Sequence, residues 1–230
     1  MIQLKVDSKN TQITTKGQKT HQAILNAAMR LATIEGLEGI SIGSLANYIG
    51  MSKSGLFAHF GSKEGLQLSI IDAARKVFYK EVILQARETE TGLVRFWSFC
   101  DNWLSYLERK VFPGGCFFIS ASVEFDSKEG PVRDKIAYAM NAWQNTLKRE
   151  LERAQLKNQL LSKVDTFQLS FEIIALVIGA NWSLNLHKNI QACNQARIAI
   201  LNRISIGFTE KSPALPKIEE FNPSSNHHQQ

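Results

Sequence analysis

Between residues 20 and 66 the chain repeats one piece of punctuation three times: a glycine closes a helical run and a serine opens the next. Ile24, Ala27, Ala28, Leu31 and Ala32 recur at the spacing of one helix face, and Gly36 ends that run. Ser41 then opens a helix predicted over Ile42–Ile49, which stops at Gly50. Ser52 opens a third, Lys53–Phe60, closed by Gly61. Ser62 opens a fourth, predicted to run to about Arg87, with Glu64 suited to the dipole of its first turn. A serine hydroxyl satisfies a backbone N–H left open at a helix start, and glycine takes the left-handed conformation that ends a helix tightly. Helices this short are marginal alone, since isolated helices below ~12–15 residues barely form in water. They hold only by packing on one another, which restricts this stretch to a compact cluster.

The second and third helices have the grammar of a helix-turn-helix. Ala46 is small where the two must approach closely, and Gly50 is free to make the turn. Leu45, Ile49 and Leu56 close a small core with Ile24, Leu31 and Leu37, leaving Lys53, Ser54, Gly55, Ala58 and His59 on the outward side. A helix enters the major groove when its outward side chains are short and polar and its N-terminus faces phosphate. Charge points the same way. Of a formal net charge of +6, the first 80 residues supply ten basic groups against five acidic, and the rest 17 against 16. A polyanion is therefore expected on the N-terminal third.

Beyond the fourth helix, helical runs are predicted over Leu93–Phe112, Cys116–Phe125, Pro131–Lys157, Val164–His187 and Asn194–Gly207, with Pro113-Gly114-Gly115 as a break. No alternating strand pattern occurs, so the expected fold class is all-α. It comprises an N-terminal three-helix helix-turn-helix DNA-binding domain followed by a larger helical effector-binding and dimerisation domain. The expected boundaries are a basic flexible arm at 1–19, the DNA-binding domain at 20–66, the ligand-binding and dimerisation domain at 67–208 and a disordered tail at 209–230. Cys100, Cys116 and Cys193 are widely spaced, which reads as a reduced, cytoplasmic protein. Leu169–Leu186 carries Glu172, Asn181 and Asn185, whereas a membrane span needs ~20 largely uncharged residues; a buried core helix is expected and no membrane partner. No nucleophile–base set, metal-ligand spacing or phosphate loop is visible, so no catalytic residue, metal or cofactor is expected. The competing class, a ligand-responsive helical protein or enzyme that ignores DNA, separates from this one by its indifference to heparin and salt.

The segment Met51-Ser-Lys-Ser-Gly-Leu-Phe-Ala-His-Phe-Gly-Ser-Lys-Glu-Gly-Leu66, and residues 20–66 around it, resemble the N-terminal domain of the TetR family of bacterial transcriptional regulators. That family joins a Ser/Lys recognition helix ending in aromatic-x-His-Phe to a Ser-Lys-Glu cap. Two positions depart from it. Phe57 stands where many relatives carry a tyrosine whose hydroxyl reaches phosphate, and Gly55 stands where a small hydroxyl residue is common, at a cost of roughly 1 kcal/mol in helix propensity. The later helices resemble the family in layout, and Arg109–Phe118 resembles one branch of it. The resemblance implies a repressor that binds a palindromic operator in double-stranded DNA as a homodimer, a ligand in the C-terminal half changing the spacing of the two heads.

The DNA-binding candidates are Ser41, Ser52, Lys53, Ser54, Gly55, Phe57, His59 and Lys63. Lys53 is the leading phosphate or guanine contact; His59 reads equally as a phosphate contact or a helix C-terminal cation. The ligand candidates are Trp97, Cys100, Trp103, Phe117 and Trp143, with Phe171 and Glu172 from the later helices. They carry more aromatic surface than one core stripe needs, which points to an apolar or aromatic effector, although plain core packing is the commoner reason for any single one of them. Glu172, within an apolar run, is expected to meet either a cationic ligand group or an arginine across a dimer interface. Cys116, at a helix start, is placed where a dipole lowers a thiol pKa, although a small buried residue is the commoner reason for a cysteine there.

Overall fold

The computed structural model describes residues 16–221, which are all-helical apart from turns and one isolated β-bridge, Leu160 with Phe208. The helices are α1 (Lys16–Glu35), α2 (Ile42–Ile49), α3 (Lys53–Phe60), α4 (Lys63–Phe78), α5 (Leu93–Glu108), α6 (Phe117–Phe125), α7 (Pro131–Leu156), α8 (Thr166–Leu186) and α9 (Ala192–Ser205). The punctuation works as its chemistry predicts. Ser41, Ser52 and Ser62 each accept the backbone N–H of the third residue of the following helix, Ser44, Gly55 and Gly65 in turn. Gly50 ends α2 at φ +70°, in the left-handed region. Ile24, Leu37, Leu45, Ala46 and Leu56 are buried together, so α1–α3 enclose the small core that the apolar spacing requires.

From this head α4 runs into the larger half, where it packs on α7, and α7 packs on α6, α5 and α8. Helices α8 and α9 form the most extensive pair. The head is also clamped from the side. Gly114, in the α5–α6 loop, lies so close to α1 that a Cβ there would sit 1.6 Å from the Thr33 carbonyl oxygen. Nearby, the Glu38 N–H donates to the Glu124 carboxylate of α6 at 2.9 Å.

Several sequence expectations need correction. Helix α1 begins at Lys16 rather than Thr20, while residues 1–15 of the expected arm lie outside the described residues. The fourth helix does run almost to the expected Arg87, staying helical to Ala86, but a π-helical turn, Tyr79–Leu84, interrupts its α-helical hydrogen bonding after Phe78. Residues 209–221 are not a disordered tail: Leu215, Ile218 and Phe221 pack on the core, and a 3₁₀ turn covers Ile218–Phe221. Three apolar anchors in a polar segment suffice to hold it, and its composition hides them. Residues 222–230 of that expectation lie outside the described residues. Helix α8 is not wholly buried; Phe171 and Trp182 are each 57% exposed, with Phe167, Ile178 and Leu186 on the same open side.

Candidate functional site

Two sites emerge. The first is the outer face of α3. Lys53, Ser54, Phe57 and Ala58 are exposed, one turn of spacing bringing Lys53 beside Phe57 and Ser54 beside Ala58, while Leu56 and Phe60 point into the core. Lys53 makes no ion pair among the described residues, and its Cε lies 3.4 Å from where a Cβ would stand on Gly43, so its stem crosses the start of α2. The N-terminal turns of α2 and α3 thus lie next to one lysine ammonium, an arrangement suited to backbone phosphate. Gly55 has a tight surround: a Cβ there would come within 3.0 Å of the Ser52 hydroxyl that caps the helix. Tyr48 on α2, 58% exposed, extends the same open surface.

The second site is a cavity of about 580 Å³ between α4 and α7. Its inner wall is aromatic: Phe78 sits edge-on to Trp143 at 5.1 Å between ring centres, to Trp103 at 5.9 Å and to Phe118 at 6.2 Å. Met140 and Thr146 of α7 complete that wall. The indole N–H groups of Trp103 and Trp143 are buried and have no hydrogen-bond partner among the described residues. Asp72, Arg75 and Lys76 stand at the α4 side, Asp72 paired with Lys135 at 2.6 Å and Arg75 lying over the Tyr138 ring. The volume is within the range of small-molecule sites, ~300–1,000 Å³.

Comparison with known proteins decides the family. Residues 24–69 match the model described as bacterial regulatory proteins, tetR family, and residues 92–200 match the tetracyclin repressor-like C-terminal domain. The chain belongs to the TetR family of bacterial transcriptional regulators. Such regulators are DNA-binding proteins rather than enzymes. Its fold is similar to a TetR transcriptional regulator from Chloroflexus aurantiacus J-10-FL, with TM-score 0.78 and 23% identity over 84% of this chain and 98% of that one. It is similar also to AibR, solved with isovaleryl coenzyme A and operator DNA, with TM-score 0.64 and 21% identity over 82% of this chain and 99% of that one. Among curated proteins, the HTH-type transcriptional repressor ComR of Escherichia coli (strain K12) is 22% identical over 165 residues, 70% of this chain and 77% of its own.

Within this TetR-family chain the sequence candidates fall into distinct places. Ser41 and Ser52 act as caps, and Ser54 stands in the open, its hydroxyl 3.3 Å from that of Ser52. His59 is not on the outward side: it is half-buried in the α1–α3 seam, its ring 5.5 Å from His21. Partial burial, together with His59 and Lys76, holds the His21 imidazole below its usual pKa. Lys63 pairs with Glu38 at 3.4 Å. Of the ligand candidates, Trp103 and Trp143 line the cavity. Trp97 packs on Phe221, while Cys100 and Phe117 are buried in the core and line no part of it. Phe171 is on the open face of α8. Glu172 pairs with Arg203 of its own chain, and that contact holds its carboxyl below the usual range. Burial raises the Cys116 thiol pKa, overriding the helix start. The sequence reading missed Phe78 at the end of α4, Tyr79 in the π-helical turn after it and Met140 on α7, whose spacing is that of an ordinary core stripe.

Proposed function

We propose that this regulator is a ligand-responsive repressor acting in the cytoplasm, which binds a palindromic operator as a homodimer and is released by a small molecule. In this reading residues 20–66 form the head and 67–208 the effector-binding and dimerisation half. The observation that carries it is the outward face of α3, where a lysine with no acid paired to it among the described residues stands beside short side chains. Lys53 and the capped starts of α2 and α3 hold the phosphate backbone, Ser54 and Gly55 approach the base edges, and Phe57 offers apolar contact to a thymine methyl. Ser41, Ser52, His59 and Lys63 hold the head's shape around that contact, Lys63 meeting phosphate only by leaving Glu38. The effector occupies the α4–α7 cavity, against Trp103 and Trp143. AibR, of similar fold, was solved with both an acyl thioester and operator DNA, a precedent for one chain serving both ligands.

The test is selection of fragments from the source genome by the full chain, followed by salt titration on the selected site. A dyad-symmetric site is expected. Lys53→Ala should weaken binding about equally on all sequences and lower the salt slope by about one. Selection of fragments without dyad symmetry would reject the dimeric reading, and an unchanged slope would remove Lys53 from the interface.

A further inference from the structure

The aromatic cavity does not end at Tyr79. A second concavity of about 460 Å³ adjoins it, and Tyr79, Ile83 and Thr146 line both. Past that threshold the wall changes character: it carries Arg87, Arg95, Arg149 and Arg153, with Glu150 as its one acidic residue. Glu150 is already committed. Its buried carboxylate accepts the Gly92 N–H at 3.1 Å and pairs with Arg153. The other three guanidinium groups have only neutral partners among the described residues. Arg87 donates to the Tyr79 hydroxyl at 3.0 Å and lies over its ring. Arg95 donates to the Arg87 carbonyl at 2.8 Å, and Arg149 to the Asn145 carbonyl at 3.2 Å and the Thr146 hydroxyl at 3.3 Å.

These contacts position each guanidinium while leaving other N–H donors of its fork unused. Three positioned, unneutralised forks around one concavity form a site for a multiply charged anion, and their geometry matches phosphate better than it matches a lone carboxylate. The π-helical turn Tyr79–Leu84 makes the junction. It places Tyr79 and Ile83 on the wall shared by both spaces, and such turns recur at functional sites.

We infer that the effector is an amphiphile with a phosphate-bearing head, its apolar group against Phe78, Trp103 and Trp143 and its phosphates among Arg87, Arg95 and Arg149. This rests on the reading of the α4–α7 cavity as the effector site and narrows it to phosphorylated ligands. A nucleotide-linked acyl thioester and an isoprenoid diphosphate share this chemistry.

The test uses the full chain with three probes below their micellar concentrations: dodecanol, lauroyl-coenzyme A and farnesyl diphosphate. Binding is read by tryptophan fluorescence. At least one phosphate-bearing probe should bind roughly tenfold or more tighter than dodecanol, and its affinity alone should fall with salt. Which of the two it is distinguishes the sources. The double variant Arg87→Ala/Arg149→Ala, two exposed side chains, should erase that advantage and leave dodecanol binding as it was. Arg87→Lys/Arg149→Lys, which keeps charge without the fork, should fall between. Dodecanol binding as tightly as both phosphorylated probes, or an alanine variant with undiminished preference, overturns the inference and leaves the cavity as effector site. If none of the three changes the fluorescence, the cavity reading falls with it.

Discussion

At the scale of single residues, Arg197 of α9 does the most to join the larger half to itself. Its side chain is 7% exposed, donates from Nε to Asp101 at 2.7 Å and grips both oxygens of Glu108 at 2.6 and 2.8 Å. Burial alone lowers a guanidinium pKa; Glu108 and Asp101 outweigh it and the group is held above its ordinary value. It therefore stays charged and ties α9 to α5, with the Phe221 ring 5.7 Å away. Removing one partner of a buried pair costs most when the orphaned charge stays dry. Here the carboxylates reach water, being 41% and 35% exposed, which keeps the cost toward the lower end. Arg197→Ala should lower stability by roughly 2–3 kcal/mol in urea unfolding. Arg197→Lys should lie between, because an ammonium cannot grip both oxygens of Glu108. An alanine variant with the wild-type midpoint and slope would show the clamp to be worth nothing net.

The elements meet most tightly where the α5–α6 loop touches the C-terminal end of α1. A methyl on Gly114 would stand 1.6 Å from the Thr33 carbonyl oxygen, and backbone cannot yield as a flexible side chain does. Gly114→Ala therefore has to separate the loop from α1, with little effect expected on α3. The expected result is operator binding that persists but loses most of its response to effector, measured as the ratio of operator affinities with and without it. An unchanged ratio would mean that this contact transmits nothing. The same contrast between local and distant causes explains what the sequence could show. The bounds of α2 and α3 follow from Ser41, Gly50, Ser52 and Gly61, because a cap is satisfied within a few residues of itself. Trp103 and Trp143 were legible because large aromatics in excess of one stripe stand out. The arginine basin was not: Arg87 follows the π-helical turn, Arg95 is on α5 and Arg149 is on α7, so only folding brings them together. Trp97 and Phe117 share helices with cavity residues or their neighbours, yet face elsewhere, and the sense in which a helix turns against its partners is a tertiary property.

For the whole molecule the decisive feature is the open side of α8. This helix has 21 residues and a mean hydropathy of 1.4, long and apolar enough by composition to cross a membrane, yet only 33% of that window is buried. Phe167, Phe171, Ile178, Trp182 and Leu186 form one exposed stripe along it. An apolar stripe rimmed by polar groups marks an interaction surface, and in a chain of this family the proposed occupant is α8 of a second copy, with α9 alongside. Two-fold symmetry buries each residue twice, and full burial of a large apolar side chain contributes roughly 1.5–3 kcal/mol. Phe171→Asp/Trp182→Asp should therefore give a monomer in light scattering at micromolar concentration while the helical signal persists. In the proposed dimer the pairing would also govern DNA binding, because successive major grooves on one face lie ~34–36 Å apart and only paired heads can enter both. The monomeric variant should consequently lose operator affinity steeply and still bind effector, since neither Phe171 nor Trp182 lines the α4–α7 cavity. An effector acts by preferring one head spacing over another, so operator DNA must weaken effector binding by the factor that effector weakens DNA binding. That reciprocity should hold in the wild-type dimer and vanish in the monomer. Its survival in a protein that scatters as a monomer would place the coupling within one chain and refute the head-spacing mechanism.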